Sequence, residues 1–287
     1  MTHIPVLLSE ILAFLNPQPG QIFIDCTVGG GGHFKEIYKK IQPNGRILGI
    51  DFNAQAVGNL KAENLKGAAL VQDNFKNLRK IAEKENFLEA DGILMDLGFS
   101  SIELESGIGL SFLKDEPLDM RIDSRSEISA KDIVNSWQED DLIKIFSEYG
   151  EERFSKRIAK EIVNSRKTKK IQTTFELVDT IKKAIPPKFR YGKIHFSTKV
   201  FQALRIAVNN ELENLEEALK LAEESLVLGG KIAVISFHSG EDRIVKNFFR
   251  SSEKLKILTK KPIIPKEDEV KENPRSRSAK LRVAERI

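Results

Sequence analysis

The stretch DCTVGGGGH, Asp25–His33, decides how this chain is read. It follows the short apolar run QIFI and leads into HFKEIYKKI, whose apolar residues recur at helical spacing. Four glycines in a row are entropically costly for a turn alone. They suit a main chain that passes close to a ligand and adopts positive φ. Outward from this turn the alternation continues. GRILGID reads as a second strand, a helix starts at Ala54, and AALVQD is a third strand. LRKIAEKENF is helical, and DGILMDLG is a fourth strand, apolar until it ends on Asp96. Short apolar runs separated by helical patterns predict a parallel sheet with helices on both faces, an α/β fold.

After Asp96 the alternation stops. From about Leu104 to Phe201 the chain offers helical spacing and no convincing strand. AKDIVNSWQEDDLIKIF and RFSKRIAKEIVNSR are helical, and TTFELVDTIKKAI is a further helix with Thr174 placed to cap its start. ALRIAVNNELENLEEALKLAEESL reads as one long amphipathic helix. GGKIAVISF is a strand, EDRIVKNFF a helix, and KILTKKPII and AKLRVAER are closing strands. The expected organisation is one α/β domain in two pieces, 1–104 and 202–287, interrupted by an all-helical insert over 105–201. Such sheets place substrate-binding insertions at the carboxyl ends of their strands.

Composition narrows the class. The chain has 287 residues, 40% of them hydrophobic and 31% charged, with net charge +4. Cys26 is the single cysteine, which excludes an internal disulfide framework and fits a reducing cytoplasm. The opening MTHIPVLLSEILAFL has no basic lead and is broken by Glu10, so it reads as an amphipathic helix and not as a signal peptide. No apolar run approaches the roughly 20 residues of a membrane span. Charge is unevenly spread. The last fifteen residues carry +4, and Thr180–Lys199 holds six Lys/Arg and no acid. Both stretches suit either a solvated surface or a polyanion.

Three ligand classes use a glycine turn between a first strand and a first helix. The phosphate loop of nucleotide hydrolases ends in Gly-Lys-Ser/Thr, whereas Gly32 is followed by His33-Phe34. The dinucleotide pattern G-x-G-x-x-G requires a glycine at Phe34 or Lys35. The third class is S-adenosylmethionine, whose methionine end carries an ammonium and a sulfonium and so wants a nearby acid, here Asp25. Asp51 ends the second strand 19 residues after Gly32, where an acid accepts ribose hydroxyls. Asp73 and Phe75 end the third strand, beside an expected adenine. Asp96-Leu97-Gly98-Phe99 ends the fourth. Methyltransferases acting on exocyclic amines often carry Asp/Asn-Pro-Pro-aromatic here; the acid and the aromatic are present and the prolines are not. A carboxylate that accepts an amine hydrogen returns electron density to nitrogen, and much of the rate comes from positioning.

These residues lie within longer stretches: IPVLLSEIL, DLGFSS, PLDMRID, EYGEERFSKRIAKEI, VFQALRIAVNNEL, GGKIAVISFHSGEDRIVK and NPRSRSAKLRVAER. In this order, and nearly end to end, they resemble the bacterial ribosomal RNA small subunit methyltransferase H family, also called MraW. The resemblance implies a Rossmann-like S-adenosylmethionine-dependent methyltransferase domain with a helical insert. It implies methyl transfer to the exocyclic N4 of a cytidine in the decoding region of 16S ribosomal RNA, in the cytoplasm and on the small subunit. Gly31, Gly32 and His33 match the family's Gly-Gly-His cofactor contact, Asp51 its ribose acid, Phe75 its adenine neighbour and Asp96 its strand-four acid. Where the family has Pro-Gln after SS, this chain has Ile102-Glu103, and Glu103 stands at the glutamine's cofactor position. The family's HPATR is here His195-Phe196-Ser197-Thr198-Lys199, with a lysine that cannot grip phosphate in a bidentate fork.

For RNA the resemblance and the charge pattern together single out Arg121, Lys193, His195, Lys199, Arg205, Arg275 and Arg277. Lysines and arginines interleaved with Phe189, Tyr191 and Phe196 suit backbone attraction plus stacking on unpaired bases. Arg121 and Arg153 equally suit pairing with local acids, and Trp137 belongs to the core of the insert. His238 in ISFHSGEDR is a second catalytic candidate beside Asp96. Its neighbours Ser239 and Asp242 read as a helix cap. A cofactor-sensing RNA-binding module without catalysis and a nicotinamide-dependent oxidoreductase are the competing classes; the glycine spacing disfavours the latter. No metal site is expected.

Overall fold

The structure, a computed structural model, describes residues 4–98, 106–123, 125–192 and 194–287. The chain divides into two compact units, one formed by Met1–Ser100 with Leu212–Ile287 and the other by Ser101–Glu211. The first holds a seven-stranded sheet of β1 (Ile22–Asp25), β2 (Arg46–Asp51), β3 (Ala68–Gln72), β4 (Ala90–Asp96), β5 (Leu226–Ser236), β6 (Leu255–Ile257) and β7 (Lys280–Arg286). Their spatial order is β3-β2-β1-β4-β5-β7-β6. The first five run parallel, and β7 is antiparallel to both its neighbours. The strands β1, β2 and β4 are buried almost throughout, as central parallel strands covered on two faces must be.

Side chains alternate across the sheet and so divide its core in two. Phe23, Ile47, Leu94, Ala233 and Ile235 pack with α1 (Leu8–Leu15) and α2 (Gly32–Ile41). Ile24, Leu48, Ile50, Ile93, Met95 and Val234 pack with α4 (Leu78–Glu85), α10 (Glu211–Ser225) and α11 (Ser239–Ser251). The short α3 (Ala54–Lys61) starts under the side chain of Asn53, which accepts from Gln55 and Ala56 N–H. Its Leu60 joins the first of these cores.

Register places the acids. Asp25 lies opposite Gly49 of β2 and Leu94 of β4, so Asp51 and Asp96 each stand two residues further along their strands. A step of two keeps a side chain on the same face. All three carboxylates therefore share the face of Phe23, Ile47 and Leu94. Gly49 between them is sterically required: a Cβ there would lie 2.6 Å from side-chain atoms of Leu70 and Val28.

The second unit is helical. Among the described residues it holds α5 (Ala130–Ser136), α6 (Glu139–Glu148), α7 (Ser155–Thr168), α8 (Thr174–Ala184) and α9 (Thr198–Asn209), with one isolated bridge, Pro117–Thr173. Ile133, Phe146, Ile158, Leu177 and Leu204 are fully buried in its core, with Trp137 half-buried against it. Three expectations change. The long helix from Ala203 is two helices, because Asn210 takes the left-handed conformation (φ 49°) and ends α9. Val200, Ala203, Leu204 and Val208 bury in the helical core, so the chain returns to the sheet unit at 211/212 rather than at 201/202. Thr173, not Thr174, caps α8 by accepting from Glu176 N–H; Thr174 is buried and donates to Lys114 O at 2.6 Å. No helix among the described residues is long and apolar enough to cross a membrane.

Gly49→Ala should lower stability by about 1–3 kcal/mol, the usual cost of an added methyl in a filled core. Urea unfolding followed by circular dichroism reads it; an unchanged midpoint would contradict the packing.

Candidate active site

The glycine turn closes over the carboxyl ends of β1, β2 and β4. Gly29 (φ 49°) and Gly31 (φ 77°) are left-handed, and a Cβ on Gly31 would lie 2.9 Å from Leu60. Gly31 N–H donates to Val28 O, and Gly31 then stands at the N-cap of α2 with no side chain capping it. The first amides of a helix lack intrahelical partners and bring partial positive charge. Gly32 lies close against Pro5, where a Cβ would meet the proline ring at 3.0 Å.

The acids help to build the turn. Asp51 is 5% exposed; its Oδ2 accepts from Gly29 N–H at 2.7 Å and its Oδ1 from Asn53 N–H at 2.8 Å. Burial raises its pKa above the ordinary carboxylate value, although these two amides pull it down. Each of its oxygens keeps a second lone pair for a hydroxyl. Asp96 is fixed through its own N–H, which donates to Thr27 Oγ1 at 2.6 Å. Asp25 accepts from Thr27 N–H at 3.0 Å through Oδ1, whereas its buried Oδ2 has no hydrogen-bond partner among the described residues. Burial pushes the Asp25 pKa from 3.8 up to about 7, against the pull of His33 and the Thr27 amide. An orphaned carboxylate oxygen beside two further carboxylates calls for a cationic donor, so the residues fit a ligand that carries an ammonium and a sulfonium. At the end of β3, Asp73 Oδ1 accepts from Asn74 N–H and Asn77 Nδ2–H. Phe75 opens a one-turn 3-10 helix, Phe75–Asn77, and is half-buried against the sheet core.

The fold brings together Gly31, Gly32, His33, Asp51 and Asp96 of the expected set, with Phe75 on the neighbouring strand end. Glu103, Lys193 and Phe99 lie outside the described residues. His238 follows β5, the strand beside β4, and takes part in a helix cap. His238 itself, not Ser239, is the N-cap of α11: its Nδ1 accepts from Glu241 N–H at 3.4 Å, and Glu241 Oε2 accepts from Phe237 and His238 N–H. His238 Nε2 faces Glu241 Oε1 at 3.2 Å. Asp242, expected in the cap, instead holds Arg282 of β7 at 2.7 Å. The capping box is present one residue earlier because Glu241, at the third helical position, reaches back better than Asp242.

The RNA candidates are mixed. Arg121 is engaged by Asp119 through Nε (2.7 Å) and Nη2 (2.9 Å), and Arg205 by Glu211 through Nε (2.9 Å) and Nη2 (3.0 Å). Arg121 is thus paired as its local-acid alternative had it, and Arg205, expected only as an RNA contact, is paired with a local acid as well. Lys199 Nζ donates to Glu151 O. His195 stacks on Phe112 with ring centroids 4.6 Å apart. Arg275 and Arg277 are exposed on the 3-10 helix Pro274–Ser278. Arg153 lies over Phe189, 3.9 Å from its centroid, with Lys188 on the same ring at 5.0 Å. Tyr191 nearby in sequence is 88% exposed. Thr27, Val6 and Glu241 were not singled out by the sequence, because their contributions run through backbone groups or through contacts between distant segments.

A family model described as the MraW methylase family matches residues 1–287. The chain is 46% identical over 307 aligned positions to a ribosomal RNA small subunit methyltransferase H from Clostridioides difficile, covering 99% of each. It is 49% identical over 291 positions to one from Sulfurihydrogenibium azorense, again covering 99% of each. Among solved structures, an rRNA methylase from Streptococcus thermophilus aligns over 99% of both chains with 10% identity and a TM-score of 0.47.

Because folding raises the Asp25 pKa from 3.8 to about 7, the folded state binds more protons than the unfolded one between these values, and stability falls as pH rises through that window. Asp25→Asn should therefore raise the melting temperature of the cofactor-free protein at pH 8 by about 2–4 °C or more, the shift per kcal/mol for a chain of this size. The gain should shrink towards pH 5, while S-adenosylmethionine binding weakens. Calorimetric melts at both pH values, with and without the nucleoside, check both effects.

Proposed function

The chain belongs to the MraW methylase family, and from that membership we propose that it transfers a methyl group from S-adenosylmethionine to the exocyclic N4 of a cytidine in the decoding region of 16S ribosomal RNA, in the cytoplasm and on the small subunit. The observation that carries the reading is the set of three carboxylates on one sheet face beneath a bare glycine turn. Relatives that match end to end are named for methylation of small-subunit ribosomal RNA.

When bound, S-adenosylmethionine supplies an electrophilic methyl on a positively charged sulfur. The amides at Gly32 and His33 and the orphaned Asp25 Oδ2 would hold its amino-acid end, and Gly31, whose own N–H is taken by Val28 O, lets the main chain approach it closely. Asp51 accepts the ribose hydroxyls, and Phe75 lies against the adenine. Asp51 is ordered for this by the two amides it already binds. Asp96 is the catalytic residue: its carboxylate accepts an N4 hydrogen, which localises the nitrogen lone pair and orients it. Fixing that geometry removes much of the entropic barrier.

The helical unit and the 3-10 helix at Pro274–Ser278 serve RNA. The stack of Arg153 and Lys188 on Phe189, with exposed Tyr191, offers π-faces and positive charge to unpaired bases. Lys199, Arg275 and Arg277 add backbone attraction. Arg121 and Arg205 order the unit internally.

Small ribosomal subunits incubated with the protein and tritiated S-adenosylmethionine should yield labelled N4-methylcytidine; unlabelled RNA would reject the reading in favour of a binding module. Asp51→Ala should weaken cofactor binding at least about tenfold by titration calorimetry, since it loses hydrogen bonds to a charged acceptor. Asp96→Asn should lower kcat about 10²–10³-fold, a larger effect than its weakening of cofactor binding. If about six phosphates are neutralised, raising salt from 50 to 200 mM should cut RNA affinity about 10³-fold; a flat dependence in filter binding would contradict the basic surface.

A further inference from the structure

One buried side chain at the turn has no part in the cofactor contacts above. His33 is 5% exposed, and its ring is fixed from both sides. Its Nε2 lies 2.9 Å from the Val6 carbonyl oxygen. That oxygen only accepts, so Nε2 carries the hydrogen. Burial lowers the ring's pKa, against the opposing charges of Asp25 and Glu269, and favours neutral imidazole. In neutral imidazole the second nitrogen then bears a lone pair. That nitrogen, Nδ1, faces Asp96 Oδ2 at 3.6 Å.

The tautomer is imposed by tertiary structure. Val6 and Leu7 are buried at the start of α1, and Leu7 takes a left-handed conformation (φ 53°). Leu7 N–H donates to Glu269 Oε1 at 2.7 Å, and Asn273 Nδ2–H donates to Ile4 O at 3.1 Å. Residues of α12 (Glu267–Glu272) and the turn after it thus hold the strap that presents the Val6 carbonyl to the ring. The ionisable groups facing His33 are Asp25 from β1, Asp96 from β4 and Glu269 from α12. A ring lone pair and a carboxylate oxygen that face each other attract only when a proton lies between them.

We propose that His33 is a positioning residue for methyl transfer, forming with Asp96 a single site for the proton that the amine releases. This rests on the reading that Asp96 meets the N4 amine. As the N4–methyl bond forms and the methyl–sulfur bond breaks, nitrogen gives up one hydrogen as a proton and keeps its electron pair. The proton goes to Asp96 and is shared with His33 Nδ1. The positive charge that leaves the sulfonium therefore ends on the Asp96–His33 pair, and the products are a thioether and a neutral methylated amine. His33 makes Asp96 a better proton acceptor without touching the substrate.

Nitrogen-15 spectra of histidine-labelled protein with bound S-adenosylhomocysteine test the pair directly. The expected result is His33 with hydrogen on Nε2, protonating at Nδ1, with a pKa that falls by about one unit or more in Asp96→Asn as the opposite charge is lost. His33→Gln should lower kcat about tenfold to a hundredfold, leave the cofactor Kd within about threefold, and move the acid limb of the kcat–pH profile to lower pH. Hydrogen on Nδ1, a pKa indifferent to Asp96→Asn, or a His33→Gln variant with parental kcat and pH profile would each overturn the proposal. If His33→Gln fails to fold, the ring spectra of the parent decide alone. Absence of N4-methylcytidine with the parent protein would instead overturn the reading of Asp96, and this role with it, whatever the ring spectra show.

Discussion

The structure depends on three carboxylates held out of water on one face of a sheet. Asp25, Asp51 and Asp96 are placed by β register, two of them two residues beyond the third, over an apolar core of Phe23, Ile47, Leu94 and Phe34. Burial, with the neighbouring charges of Asp96 and Asp51 adding to it, raises the pKa of Asp25, and holding such like charges together destabilises the folded chain. The protein offsets part of this with its own dipoles: amides of Thr27, Gly29 and Asn53 point at Asp25 and Asp51. It leaves part uncompensated at Asp25 Oδ2. A site with unbalanced negative charge binds a cationic nucleoside more tightly than a neutral one, and it releases the nucleoside more readily once the sulfonium has become a thioether. The same imbalance therefore favours both substrate binding and product exchange.

The turn and the acids explain each other. Gly29, left-handed at φ 49°, donates its N–H to Asp51, and Gly31 can pass Leu60 only without a Cβ. A side chain at Gly31 would press on Leu60, and at either position it would strain a left-handed backbone beside the amide that holds Asp51. The glycines are thus as much a condition for keeping three acids in one place as they are an opening for a ligand.

Much of this is legible in the sequence, and the limits have physical causes. Short apolar runs ending in Asp25, Asp51 and Asp96 mark the strands, because a parallel strand covered on both faces has no polar alternation to hide it. The acids follow from where those runs end. The break at Asn210 is not legible, since ALRIAVNNELENLEEAL keeps helical spacing across it and one left-handed residue leaves no trace in that pattern. The cap at His238 is missed because histidine is an uncommon N-cap, and the serine beside it is the ordinary choice. The Val6–His33 contact joins residues 27 apart through a backbone oxygen, which no side-chain pattern encodes. Arg121 and Arg205 show a further limit: a basic residue reads the same whether it is free for phosphate or committed to Asp119 or Glu211.

That last distinction bears on how the chain divides its charge. A guanidinium held in a bidentate fork by a carboxylate has its charge balanced and its geometry used, and it contributes little to the attraction of a polyanion. Arg153 and Lys188 rest instead on the Phe189 ring, which neutralises nothing. The positive charge of Arg153 and Lys188 is therefore not balanced by the ring they rest on, whereas that of Arg121 and Arg205 is spent within the fold. Counting basic residues therefore overstates the charge open to a polyanion. By that measure the aromatic-backed Arg153 and Lys188 of the helical unit and the exposed Arg277 are, among the described residues, the better candidates for the backbone of an RNA strand.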